Sequence, residues 1–140
     1  MKLSGISAKD AEGAPPIIPE GDYVAAFIDA EEAISQSQNE MIVVKVEILE
    51  GEYKSRGLKD YLVFTDGAKW KLAQVLVAIG IDIPEGDFEL APEDLIGKTF
   101  GIRTIEEEYN GKPTAKIDRY YPLDREVEAP QIEPKVEIPF

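Results

Sequence analysis

The stretch MIVVKVEIL, residues 41–49, constrains the fold of this chain more than any other part of the sequence. Apolar side chains occupy every second position on one phase, which comprises Ile42, Val44, Val46 and Ile48. The other phase mixes charged and apolar side chains and comprises Val43, Lys45, Glu47 and Leu49. Successive side chains of a strand point to opposite faces of a sheet, so this alternation predicts a half-buried β-strand.

Two further strand candidates flank this stretch. The stretch DYVAAFIDAEEA, residues 22–33, is apolar on both phases, which indicates a central strand. The stretch LKDYLVF, residues 58–64, places Leu62 and Phe64 on one phase and Lys59, Tyr61 and Val63 on the other. The polar turn QSQNE and the loop EGEYKSRG connect the three stretches. We therefore expect three consecutive strands.

A helical period follows in DGAKWKLAQVLVAIG, where Asp66 is placed to cap a helix and Gly80 to end it. The predicted apolar stripe comprises Ala68, Leu72, Val75, Leu76 and Ile79. Trp70 lies about 160° from Leu72 around this helix, on the side of Ala73 and Val77. Packing on a loop, on the N-terminal arm or on another subunit is favoured over base stacking, so Trp70 is left out of the candidate site.

A β-hairpin follows the helix. Asn110 and Gly111 predict a type I′ turn between a fourth strand, TFGIRTIEEEY, and a fifth, KPTAKIDRYYP. The apolar phase slips between Ile102 and Ile105, which indicates a β-bulge. At the end of the fifth strand two adjacent tyrosines must point to opposite faces, so one is expected in the core and one outside.

The order of three strands, one helix and two strands favours an all-β fold. We expect a five-stranded Greek-key barrel of the oligonucleotide-binding type, the OB-fold, with the helix between strands three and four. A split sandwich with a packing helix is the alternative. This domain covers residues 20–122. An extended N-terminal arm, residues 1–19, precedes it, and an acidic, Pro-rich interaction tail without periodicity, residues 123–140, follows it.

Composition limits the chemistry of the chain. It contains no Cys and no His, which excludes thiol nucleophiles, Ser-His-Asp triads and Cys/His zinc sites. We predict no catalytic residue, no metal site and no cofactor. No long apolar run or signal sequence argues for a membrane, so we expect a cytoplasmic protein. The net charge of −13 argues against nucleic acid, but most of the excess lies outside residues 41–121.

Cations and aromatic rings on two hairpins provide a candidate site for single-stranded DNA, which OB-folds bind through a basic groove and stacking platforms. The second and third strands and their loop contribute Lys45, Tyr53, Lys54, Arg56, Lys59 and Tyr61. The second hairpin contributes Arg103, Tyr109, Lys112 and Lys116, with Arg119 nearby. The alternative is that these are solubilising side chains on the wet face of antiparallel strands.

Two other functions are compatible with the residues. The net negative charge of the chain favours a protein-interaction adaptor that never contacts DNA. A Mg²⁺-dependent nuclease could use the Glu-x-Lys spacing of Glu52 and Lys54, with Asp29 as the strand-borne carboxylate only if the first strand ended there beside the loop. That spacing recurs by chance in a chain rich in Glu and Lys. The three successive glutamates of EEEY cannot share one strand face, so they indicate a solvated edge rather than a metal cluster.

Several segments together resemble a family of bacteriophage single-stranded-DNA-binding proteins, catalogued among phage replication and recombination genes as a domain of unknown function. The segments are IPEGDY, SQSQNEMIVVKVEILEGEYKSRGLKDYL, LVAIG, DLIGK and EEYNGKP, and the likeness spans roughly residues 18–122. Its specificity lies in the order and spacing of these segments. The resemblance implies an OB-fold that coats single strands without sequence preference; annealing of complementary strands is an open variant.

The last four residues carry an independent resemblance. Bacterial single-stranded-DNA-binding proteins end in Asp-Ile-Pro-Phe, and this sequence ends in Glu137-Ile138-Pro139-Phe140. The resemblance implies that this tip docks on replication, recombination or repair proteins. Phe140 would enter an apolar pocket while a basic residue holds the carboxylate. A homodimer is a further possibility, because one barrel with few cations binds long strands weakly.

Overall fold

The strands follow the order that the sequence predicts. The structure, a computed structural model, describes residues 17–83, 85–86 and 89–130. The strands are β1 (Gly21–Ile34), β2 (Glu40–Ile48), β3 (Gly57–Val63), β4 (Thr99–Tyr109) and β5 (Lys112–Tyr121). A 3-10 turn (Asp66–Ala68) leads into helix α1 (Lys69–Ala78), and a short helix α2 (Pro92–Leu95) precedes β4. The all-β class and the position of the main helix between β3 and β4 are confirmed.

The five strands form one antiparallel sheet in the order β3-β2-β1-β4-β5. The central strand β1 changes partner along its length. Residues 21–26 pair with β4, and residues 25–34 pair with β2. A register shift between Phe27 and Asp29 accompanies the change, and such a bulge bends a strand. The predicted central position of the first strand is confirmed, whereas its bulge was not predicted.

The core lies on the inner face of the sheet, against α1 and α2. The predicted apolar phase of β2 is buried, with every member at most 2% exposed: Ile42, Val44, Val46 and Ile48. Three rings pack beside it, with centroids of Phe27 and Phe100 4.4 Å apart and that of Tyr120 5.4 Å from Phe100. Each large buried side chain stabilises the fold by about 1.5–3 kcal/mol, so this face determines the register of the sheet.

Helix α1 ends as predicted but begins differently. Gly80 adopts a φ of 81°, and the amide of Ile81 donates to the carbonyl of Leu76 at 2.9 Å, which forms a Schellman motif. The predicted cap by Asp66 is wrong. Asp66 lies inside the first 3-10 turn, and its carboxylate pairs with Lys69 at 2.8 Å. The buried stripe comprises Leu72, Val75, Leu76 and Ala78.

The predicted features of the second hairpin are confirmed. Asn110 and Gly111 have φ values of 52° and 76°, as a type I′ turn requires. The register of β4 and β5 shifts between Arg103 and Thr104, within the predicted bulge. Of the two adjacent tyrosines, Tyr120 is buried and Tyr121 is partly exposed. The division of the chain into arm, domain and tail stays a prediction.

A buried carboxylate joins the two edge strands of the sheet. Asp60 of β3 is only 8% exposed and accepts a hydrogen bond from the hydroxyl of Tyr120 in β5 at 2.6 Å. The ammonium of Lys71 in α1 donates to the same carboxylate at 2.5 Å, and the amide of Tyr61 donates at 2.8 Å. A buried charge is tolerated when it is paired and hydrogen-bonded in this way. We call Asp60, Lys71 and Tyr120 the Asp60 cluster.

We predict that Lys71→Met lowers the free energy of unfolding by about 3 kcal/mol, because it leaves the buried Asp60 carboxylate without its countercharge. Lys69→Met, two residues earlier, is the control. The Lys69–Asp66 pair is exposed, so its loss should change the free energy of unfolding little. Urea unfolding followed by Trp70 fluorescence measures both variants. Equal small effects of the two substitutions would contradict the role given to the cluster.

We also predict a pH dependence that arises from Tyr120. Burial, together with the charge and hydrogen bond of Asp60, raises the pKa of Tyr120 well above its ordinary value. As the pH rises past about 10, the unfolded chain therefore releases this proton first, and the free energy of unfolding falls. Tyr120→Phe should be less stable at neutral pH but lose less stability between about pH 10 and 11. Parallel pH curves for the two proteins would contradict this prediction.

Candidate nucleic-acid interface

The outer face of the β2–β3 hairpin gathers three of the predicted binding residues. Lys45 of β2 lies directly opposite Lys59 of β3. The Lys59 ammonium lies 5.7 Å from the ring centroid of Tyr61, within cation–π distance. Tyr61 is 46% exposed, and both lysines are exposed. Two like charges directly opposite each other destabilise a sheet, so this arrangement favours the binding of an anion.

We call Lys45, Lys59 and Tyr61 the cationic strip. Carboxylates lie beside this strip on the side of β1. Asp29 lies opposite Lys45 in the register, and Glu31 lies opposite Val43. Together with Lys45 and Lys59 they line a shallow cavity of about 380 Å³. The outer face of β1–β3 is thus of mixed charge, and its cations and exposed ring lie towards the β3 edge. A ligand that carries negative charge is expected to lie along β2 and β3 rather than across β1.

The loop between β2 and β3 carries the next three predicted residues at one end of this strip. The ring of Tyr53 packs edge-on against Tyr23, with centroids 6.2 Å apart, so Tyr53 is only half exposed. Lys54 is exposed, and Arg56 is half-buried with its amide donating to the Tyr53 carbonyl at 3.0 Å. The Tyr53 ring is therefore held in place at the end of the hairpin and offers less free surface than Tyr61.

The first residues after β5 return to this loop. Arg125 pairs with Glu50, and residues 125–130 line a cavity with Lys54 and Ser55. This pair lowers the pKa of Glu50 and raises that of Arg125, chiefly through the hydrogen bond between them. The acidic side chains of Glu126 and Glu128 belong to the same cavity wall. Lys54 thus lines the same cavity as the described part of the acidic tail.

Arg103 belongs to the other half of the sheet, beyond β1. Its guanidinium lies 2.9 Å from the carboxylate of Asp22, and both side chains are about half exposed. Tyr121 donates its hydroxyl to the same carboxylate at 3.1 Å, and its ring covers Gly101. Arg119 lies directly opposite Arg103 on β5. Asp22 therefore compensates much of the charge that Arg103 was predicted to offer.

The remaining predicted residues lie near the tip of the β4–β5 hairpin. Tyr109 is 69% exposed and lies directly opposite Lys112. Lys116 shares their face, but its ammonium lies 3.5 Å from the carboxylate of Glu107. This part of β4 extends past the residues that pair with β1. The structure therefore brings together the β2–β3 residues and places the β4–β5 residues in a second, separate group.

Sequence reasoning missed the polar residues that compensate or support these groups. Asp60 occupies the inner phase of β3 between Leu58 and Leu62, and a carboxylate at such a position is a detectable signal of a buried partner. Asp22 and Glu107 gave no such signal, because exposed acidic residues are common in this chain. The contact between the Tyr121 ring and Gly101 was weakly predictable from the sequence. A glycine inside a strand often marks a position that another group approaches closely.

Some predictions fall outside the described residues. These are the tip Glu137, Ile138, Pro139 and Phe140, together with residues 1–16 of the arm. Within residues 17–83, 85–86 and 89–130, no group of three acidic side chains is arranged to hold a metal ion. None of the helices in the described ranges has the length and hydrophobicity to cross a membrane.

The comparison with known families identifies the chain at the family level. Residues 7–130 match the family described as "Protein of unknown function (DUF669)". The chain belongs to this family. No curated protein matches the sequence. The match includes every predicted binding residue of both hairpins, and the family description assigns no activity.

We predict that Lys59→Gln and Tyr61→Ala leave the melting temperature nearly unchanged, because both side chains lie on the outer face. Tyr120→Phe is the matched comparison. Loss of its hydroxyl removes a hydrogen-bond donor from buried Asp60 and should lower the free energy of unfolding by about 1–3 kcal/mol. Thermal unfolding followed by circular dichroism measures all three. A large loss of stability in Lys59→Gln would mean that this side chain packs in the fold.

Proposed function

We propose that the protein binds single-stranded DNA without sequence preference, on the outer face of β2 and β3. The observation that supports this most directly is the exposed group of Lys45, Lys59 and Tyr61. Two ammonium groups contact successive phosphates, and the Tyr61 ring stacks on an unpaired base. This division of roles is common in proteins that bind single strands without reading their sequence.

We further propose that the sheet is an OB-type Greek-key barrel. The hydrogen bond from Tyr120 to Asp60 links the two strands at opposite edges of the sheet order, as closure of a barrel demands. The helix between β3 and β4 packs at this junction through Lys71. OB barrels bind oligonucleotides on the face of strands two and three, which is where the cationic strip lies.

The free energies expected for stacking and phosphate contacts indicate a moderate affinity for single strands. A stacked base contributes about 1–3 kcal/mol, and each neutralised phosphate changes the logarithmic salt slope by about 0.7 for a single strand. Asp29 and Glu31 beside the strip lower the affinity for phosphate, and this effect weakens as salt screens the charges. We therefore propose that several copies share one strand, coating and protecting it during phage replication or recombination.

The tail extends the proposal to protein partners. Residues 137–140 are proposed to recruit replication or recombination proteins through Phe140 in an apolar pocket. Burial of one Phe side chain yields about 1.5–3 kcal/mol, which fits a weak, exchangeable contact. The described part of the tail lies beside Lys54, so the same acidic segment is proposed to compete with phosphate at the β2–β3 loop.

The direct test is a titration of fluorescent oligo-dT and of the matching duplex at two salt concentrations. We expect the single strand to bind more tightly, and Tyr61→Ala to weaken that binding about tenfold, since it removes one stacked base. Lys59→Gln should lower the salt slope by about 0.7. Matched controls are Trp70→Ala and Lys69→Gln on α1, which present an exposed ring and an exposed cation away from the strip.

Equal or absent binding of both nucleic acids would overturn the proposal. The carboxylates beside the strip favour an interaction adaptor as the second candidate. Capture of replication proteins by residues 123–140, with no DNA affinity in the rest of the chain, would select it. Cleavage of labelled single strands in Mg²⁺ but not in chelator, abolished by Glu52→Gln, would instead indicate a nuclease.

A further inference from the structure

Helix α1 presents an apolar face to solvent on the side away from the core. Trp70, the single tryptophan of the chain, is 61% exposed, and Val77 is 47% exposed. Val77 lies almost two helical turns after Trp70, so the two side chains are aligned along the helix surface. Ala73 and Gln74 lie between them, one on each side of that line, and both are partly exposed. Apolar side chains with this exposure gain stability when another surface covers them.

The charges around this face are either absent or already paired. Residues 67–81 contain no acidic side chain, although the whole chain has a net charge of −13. Lys69 and Lys71 flank Trp70 in sequence, but their ammonium groups pair with aspartates at 2.8 Å and 2.5 Å. Along this described segment, no unpaired cation is left to hold a phosphate or the carboxylate of the acidic tail. The face therefore suits an apolar occupant rather than DNA or the tail.

The pattern of this face is complementary to itself. A large apolar side chain lies at each end and the smaller Ala73 near the middle, so the face has the same order from either direction. An antiparallel second copy, related by a two-fold axis between positions 73 and 74, places Trp70 of each chain against Val77 of the other. Ala73 allows the two helices to approach closely. Gln74 leaves room, because its Oε1 accepts a hydrogen bond from the Tyr120 amide at 2.7 Å, which holds it towards β5.

We propose that two copies of the chain associate through this face, with their α1 helices antiparallel and each Trp70 packed on Val77 of the other copy. Two copies with a net charge of −13 repel each other, so contact is favoured where both surfaces lack carboxylates. Residues 67–81 provide such a surface, and charges more than about 8 Å away are screened at physiological salt. The proposal does not depend on DNA binding, since the cationic strip lies on another element.

The size of the face predicts a weak dimer. Helix α1 has 10 residues and is about 15 Å long. A fully buried aromatic side chain covers about 150–250 Å², so two tryptophans and two valines bury less than the roughly 1,200–2,000 Å² of a standard interface. We expect a dissociation constant of roughly 100 μM, at the weak end of specific association. Dilute protein, as used in the titrations with oligonucleotide, is therefore monomeric.

The single tryptophan makes this contact directly observable in the full chain. Its emission and its quenching by acrylamide are measured from about 1 μM to about 500 μM protein, a range that spans the expected dissociation constant. We expect the emission to move to shorter wavelength and the quenching to fall about twofold as the ring is covered. Sedimentation equilibrium should show the mass doubling over the same range. Val77→Glu should abolish both changes, because it places a carboxylate against each Trp70 ring.

Mixing two variants tests the predicted pairing of positions 70 and 77. Trp70→Lys has no tryptophan, so only the Val77→Glu protein emits in the mixture. In the mixed dimer a lysine at position 70 faces the glutamate at position 77, and the remaining Trp70 faces the remaining Val77. Adding Trp70→Lys to Val77→Glu should therefore restore the shift in emission and the fall in quenching. Trp70→Glu is the matched control, which is equally silent but brings two carboxylates together.

Three results would overturn the proposal. The first is a monomeric mass and unchanged quenching of the natural sequence at the highest concentration. The second is a dimer that persists in Val77→Glu, or a restoration by Trp70→Glu as large as that by Trp70→Lys. The third is loss of the emission shift in Phe140→Ala, which would assign the face to the C-terminal tip instead of α1 of a second copy.

Discussion

The buried carboxylate of Asp60 is the interaction on which the arrangement of the structure depends. It accepts hydrogen bonds from a hydroxyl of β5 and an ammonium of α1, so β3, α1 and β5 meet at one side chain. An acidic group with this little exposure is stable only while its partners remain in place. The position of the two sheet edges relative to the helix is therefore set by a polar contact as well as by apolar packing.

The same contact orients the candidate interface. Lys59 and Tyr61 are the immediate neighbours of Asp60, and successive side chains of a strand alternate between faces. With Asp60 held inward, both neighbours must point outward, with Lys59 opposite Lys45 and Tyr61 opposite Val43 of β2. A slip of one residue would turn the lysine and the tyrosine into the core and expose Leu62, at a large cost in buried apolar area. Stability and the proposed binding surface thus depend on one register.

Local patterns predicted most of the fold, whereas compensating contacts between distant residues were not predictable. The alternation in β2, the Asn110-Gly111 turn and the glycine end of α1 depend on neighbours in sequence, and each is confirmed. The predicted cap by Asp66 is wrong because a 3-10 turn from Asp66 to Ala68 precedes α1 and places Ala68 at its N-cap. The partners of Arg103 and Lys116 lie on other strands, so no spacing rule could show that acidic residues offset these cations. The candidate site was therefore predicted as one groove, whereas the structure divides it into two groups.

The most direct test of the binding surface is an amide chemical-shift map of the ¹⁵N-labelled full chain titrated with a short oligo-dT. Binding to the outer face of the first hairpin should shift the amides of Lys45, Lys59 and Tyr61 most, with smaller shifts in the loop around Lys54. The amide signals of α1 around Trp70 and Val77 should keep their chemical shifts. Shifts centred on α1 or on the tip of the second hairpin, with the β2–β3 amides unmoved, would contradict the assignment.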